Sequence, residues 1–103
     1  MIYGGKALIG KVGAVFTSAA SVHGGQETTA VSIMFPMLPH GMILVGFPYS
    51  VAELIGSGSP YGPSRIVGSL STKKIEEADI KVAQALGKRV ADPEIYHISE
   101  RIL

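Results

Sequence analysis

The side chains best suited to contact a ligand lie close together in TSAASVHGGQETT, residues 17–29. Ser18, Ala19, Ala20 and Ser21 are small, His23 supplies an imidazole, and Gly24-Gly25 lead into Gln26-Glu27. The stretch leaves the carboxyl end of an apolar run and enters a helical pattern, which is where open α/β sheets bind ligands. Gly24 and Gly25 let a backbone come close to a bound molecule. N–H groups at the start of a helix favour an anion, but Glu27 stands in the first turn, where its carboxylate would compete with a phosphate. The residue types therefore point to the flat, mostly uncharged part of a ligand. An ordinary strand-to-helix turn would use much the same residues.

Other chemistry is poorly provided for. His23, His40 and His97 are the histidines, there is no cysteine, and no carboxylate pattern accompanies them, so no metal site is expected. No serine sits in a nucleophile elbow, and no glycine loop of the nucleotide-phosphate type occurs. His40, in PHGM, closes the helical pattern before the next apolar run, a place where imidazole also serves as a C-terminal helix cap. Met34, Met37 and Met42 are expected in the core.

The elements that would position these groups can be read from the pattern. VGAVF (12–16) and MILVGF (42–47) are short continuous apolar runs, typical of parallel strands buried on both faces. A helix is predicted from Gln26 to about Leu38, with Val31, Met34, Met37 and Leu38 on one face and Ile33 and Phe35 widening it. Pro36 should kink that helix or shorten it by a turn. Residues 48–71 read as one long Gly/Ser/Pro-rich connection of functional or interface type. A further helix is predicted after a cap at Ser71 or Thr72, with the stripe Ile75, Ala78, Val82, Leu86 and Val90 and a Glu77–Lys81 pair. Asp92-Pro93-Glu94 ends it and begins a last helix striped by Ile95, Ile98 and Ile102.

The order is thus β-α-β-loop-α-α in a single domain of 103 residues. Two parallel strands are too few to stand alone, so either the sheet is completed by another chain or this polypeptide is part of a larger fold. With 47% hydrophobic and 17% charged residues, part of the surface is expected to be covered by another subunit of a homo-oligomer; with Ile98 on that interface, Ile98→Asp should break the association. A net charge of +1 gives no reason to invoke nucleic acid or an anionic membrane. The start has neither a signal peptide nor a membrane-length apolar run, which makes a cytoplasmic location the default.

ALIGKVGAVFTSAASVHGGQETT, then LPHGMILVGFPYS, then GSGSPYGPS together resemble a known family. It is the tryptophan-repressor-binding-protein type of NAD(P)H:quinone oxidoreductase, FMN enzymes of flavodoxin-like fold. The resemblance runs from about Tyr3 to Ala91 and covers only the second half of that fold. It implies a partial flavodoxin-like three-layer α/β/α domain over 1–103, made of the last two strands and helices of the parallel sheet, with a short extra helix at about 93–103. It further implies flavin contacts from Ser18, Ala19, Ala20, Ser21 and Gly24, with the phosphate-binding loop absent. The family commonly has a His pair before the last strand, the first of which approaches the flavin. Pro39 takes that first place here, so the flavin-contacting imidazole is lost, or His40 supplies it as the catalytic imidazole after a shift caused by the proline. Tyr3 falls where relatives carry a tryptophan over the substrate, and Tyr49 and Tyr61 fall at the pocket rim or subunit contacts. The activity implied is two-electron quinone reduction, with NAD(P)H as co-substrate. The alternative is a non-catalytic oligomeric assembly, or a remnant that does not bind FMN by itself.

Overall fold

The computed structural model describes residues 6–50, 59–68, 74 and 76–102. Its elements run β1 (Val12–Gly13), β2 (Thr17–Ala19), α1 (Gln26–Met37), β3 (Ile43–Leu44), β4 (Ser64–Ile66), α2 (Glu77–Val90) and α3 (Pro93–Ile102). The chain is α/β, and among the described residues both strand pairs are parallel. β1 pairs with β3 in the register Val12↔Ile43 and Gly13↔Leu44. β2 pairs with β4, Thr17↔Ser64 through Ala19↔Ile66.

The first pair lies inside the two apolar runs, as predicted. The second corrects the sequence reading. Thr17–Ala19 falls in the stretch read as a strand-to-helix turn and Ser64–Ile66 in the long 48–71 connection, yet the two form a ladder. Thr17 N–H donates to the Pro63 carbonyl at 2.9 Å, and Val67 N–H to the Ala19 carbonyl at 2.8 Å. Neither segment alternates apolar with polar residues, so the period that reveals a strand is missing. The distant partner makes the strand.

Alternation along the first strand run assigns its two faces. Val12 and Ala14 pack on the cluster formed by Val45, Phe47, Val82 and Leu86, together with Ala85, Val90 and Ile95. Gly13 points the other way, where an added Cβ would meet the Met42 Cε at 2.7 Å and the Met37 Sδ at 3.3 Å. α2 and α3 therefore cover one face, and α1 lies toward the other. Each fully buried Val, Leu or Phe of this cluster contributes about 1.5–3 kcal/mol.

α1 keeps Pro36 as its next-to-last residue and ends at Met37, so the proline terminates the helix without costing it a turn. Its apolar stripe is less well buried than predicted. Only Ala30 is buried; Val31, Met34 and Met37 are half-buried, while Phe35 and Leu38 are 63% and 58% exposed. Apolar residues go nearly all round this helix, and among the described residues nothing covers its outer side.

α2 begins at Glu77, with Glu76 as N-cap, not at Ser71 or Thr72, and both of these and Ile75 lie outside the described residues. The Asp79 carboxylate accepts the Glu76 N–H at 3.2 Å, its half of a capping box with Glu76, and also receives Arg65 of β4 at 3.0 Å, so it ties the helix start to the sheet. Val82 and Leu86 are buried as predicted, and the Glu77–Lys81 pair closes at 3.4 Å on the surface. Asp92 Oδ1 accepts the Glu94 N–H at 2.8 Å, capping α3 as expected. Gly87 lies inside α2 with open space where a Cβ would stand. Gly87→Ala should raise unfolding stability by about 0.5–1 kcal/mol; urea melts on the two proteins check this.

Candidate functional site

The ligand-type loop is built by the end of β2 and the start of α1. β4 holds Ala19, and the chain then turns on the Ser21 carbonyl, which accepts Gly24 N–H at 3.1 Å and the Gln26 side-chain amide at 2.9 Å. A Cβ on Gly24 would lie 2.6 Å from the Ala19 Cβ and 3.1 Å from the Ser21 carbonyl oxygen. The missing side chain thus lets the loop fold onto itself. Gly25 has a φ of 83°, the left-handed region that glycine tolerates, and is the N-cap of α1 without any side-chain cap. A Cβ there would face open space.

This closure leaves Ser18, Ala20, Ser21, His23 and Gly24 on the surface with Ala19 half-buried, and Val22 is 67% exposed. The surface is small-residue, apolar and hydroxyl-bearing, with the His23 imidazole but no lysine or arginine from Thr17 to Thr29. Glu27 occupies the first turn of α1. A neutral planar group can lie on such a surface; a phosphate would meet like charge there.

His40 is exposed in the turn that follows α1. The loop and His40 flank opposite ends of a 12-residue helix, which at about 1.5 Å per residue separates them by about 18 Å. A single copy therefore does not bring His40 to its own loop. Tyr3 lies outside the described residues. Tyr49 is exposed, and Tyr61 is half-exposed with its N–H held by the Ser59 hydroxyl at 3.1 Å. His97 pairs with Glu100 on the surface of α3 at 3.4 Å, away from the loop. Among the described residues no group of three or more His, Cys, Asp or Glu could hold a metal ion, and no helix is long and apolar enough to cross a membrane.

Sequence reasoning passed over Phe16, Arg65 and Asp79, which lie beside Ser18 on the α2 side of β2. Nothing in their local patterns marks them, since β4 and α2 meet only in the folded chain.

A parallel α/β chain with a small-residue strand-to-helix loop at the carboxyl end of a strand has the layout of a ligand-binding α/β protein. No family model matches the chain. It is 48% identical over 85 residues to a protein of Archaeoglobus fulgidus named NAD(P)H dehydrogenase (quinone), a match spanning 82% of this chain and 41% of the relative. Proteins of the same name from Chromohalobacter salexigens and Geotalea uraniireducens are 43% and 45% identical over 90 residues. These matches span 82% of this chain and 45% and 44% of the two relatives. The chain belongs to the NAD(P)H:quinone oxidoreductase family, and it spans less than half the length of these relatives.

Proposed function

We propose that the chain forms the flavin-ring portion of an FMN-dependent NAD(P)H:quinone oxidoreductase. The identity of 48% to a protein named NAD(P)H dehydrogenase (quinone) carries the reading, and the chemistry of the 18–24 loop supports it. FMN would supply two-electron transfer from NAD(P)H to a quinone, and the protein would bind, orient and shield the reactants. Ser18, Ala19, Ala20, Ser21 and Gly24 would hold the ring and its neutral side chain. The lack of lysine and arginine from Thr17 to Thr29 and the presence of Glu27 support a phosphate held by other parts of the fold. His40 would serve the loop of a second copy in a homo-oligomer, since it lies beyond the far end of its own helix. Tyr3 would stack on the substrate as an aromatic plate. A cytoplasmic location completes the reading.

Titrating FMN into the 103-residue chain and following flavin fluorescence tests it. Saturable quenching is expected, with less than one flavin per chain retained after gel filtration because the phosphate is unheld. Gly24→Ala should weaken the quenching constant about tenfold, which is about 1.4 kcal/mol, by pushing the loop off Ala19. Ala19→Gly in the same chain should restore most of it. Absence of saturable quenching, or indifference to Gly24→Ala, would sink the loop as a flavin surface.

A further inference from the structure

α3 follows the stretch, about Tyr3 to Ala91, that carries the family resemblance. One face of it rests on the domain, where Ile95 packs against the core cluster. At 3.6 residues per turn, Glu94, Ile98 and Arg101 share a second face, within about 60° of one another. All three lie on the surface, and Ile98 is 51% exposed. Their order along the helix is acid, isoleucine, base, with the two charges about 10 Å apart along the axis. His97 and Glu100 engage each other at 3.4 Å. Among the described residues, neither Glu94 nor Arg101 takes part in an ion pair.

Such a face is complementary to itself. When two copies of α3 lie antiparallel about a two-fold axis between positions 97 and 98, Glu94 of each meets Arg101 of the other. The two Ile98 side chains then meet near the axis, where their half-exposed apolar surface is covered. A parallel alignment would set acid on acid and base on base. We infer that the Glu94–Ile98–Arg101 face of α3 pairs antiparallel with the same face of a second copy of this chain. The two helix axes would lie about 8–10 Å apart. α3 has 10 residues and is therefore about 15 Å long. Its contact falls well short of the roughly 1,600 Å² of a standard interface, so a weak dimer is expected, with a Kd on the order of 100 μM. The inference rests on no part of the flavin reading.

Sedimentation equilibrium of the 103-residue chain, at concentrations spanning that Kd, tests it through a charge exchange. Glu94→Lys alone and Arg101→Glu alone each bring like charges together at both contacts of a homodimer, and each should weaken association about tenfold. Mixed in equal amounts, the two variants offer each other opposite charges at both contacts. The mixture should therefore associate to within about threefold of the parent. Damage to the helix itself would not be undone by mixing, and circular dichroism should show both variants folded. Ile98→Asp should abolish association in the parent. A chain that stays monomeric throughout overturns the inference. So does a dimer indifferent to both single variants, since it would be built on another face. Weakened single variants that mixing does not rescue overturn it as well, because the antiparallel register would then be wrong.

Discussion

Gly62→Ala should lower unfolding stability by about 3 kcal/mol, at the upper end of what overpacking a filled interior costs. Gly62 is buried, and its α-carbon lies against the main chain of Val15, itself 3% exposed. A Cβ there would overlap the Val15 carbonyl oxygen and come within 3.0 Å of its carbonyl carbon and 3.1 Å of Cγ2. Backbone cannot swing aside as the end of a flexible side chain can, so the Ser59–Gly62 turn would have to lift. That lift acts on the next residue, Pro63, whose carbonyl accepts the Thr17 N–H. β4 would then lose its register on β2. Urea unfolding followed by circular dichroism checks the expectation, with Gly87→Ala as the control in which the added methyl meets nothing. Equal midpoints for Gly62→Ala and the parent would show that the two main chains do not touch.

These two glycines illustrate what the sequence could tell. The helices were legible where a periodic stripe and local caps agreed: Val82 and Leu86 fall inward, and Asp92 caps α3 at the position its sequence neighbours imply. β1 and β3 were legible because a run of apolar residues needs no partner to be noticed. β2 and β4 were not, since Thr-Ser-Ala and Ser-Arg-Ile acquire strand geometry only from each other across more than forty positions of chain. The start of α2 was misplaced for a related reason. Glu76 is not a favoured N-cap type, and the acceptor of its N–H, Asp79, is held by Arg65 from another element. In the candidate site, the residues of the 18–24 loop could be chosen from their types and position after a strand. That Gly24 serves the loop's own closure, and that His40 stands at the other end of α1, required the fold.

Asp79→Ala should cost about 2 kcal/mol, and the loss should reach the 18–24 loop proposed to hold flavin. One oxygen, Oδ2, accepts the Glu76 N–H at 3.2 Å and the Arg65 guanidinium at 3.0 Å. Losing a helix cap costs about 0.5–2 kcal/mol, and a hydrogen bond to a charged group contributes about 1.5–3 kcal/mol. The Arg65 and Asp79 side chains keep 16% and 27% of their exposure, so solvent screens the pair and the combined loss falls toward the lower end. Asp79→Asn keeps a carbonyl acceptor for Glu76 and loses only the charge, so about half the cost should remain. A double-mutant cycle with Arg65→Ala isolates the pair, with a coupling of about 1 kcal/mol expected and a smaller one in 1 M salt. The pair fastens β4 to α2, β4 holds Thr17–Ala19 in register, and Ala19 leads into the Ser21–Gly24 turn. Untying Asp79 should therefore weaken FMN quenching severalfold, with Asp79→Asn intermediate. If quenching stays unchanged while stability falls, the loop keeps its shape without β4, and the tertiary path from α2 to the candidate site does not exist.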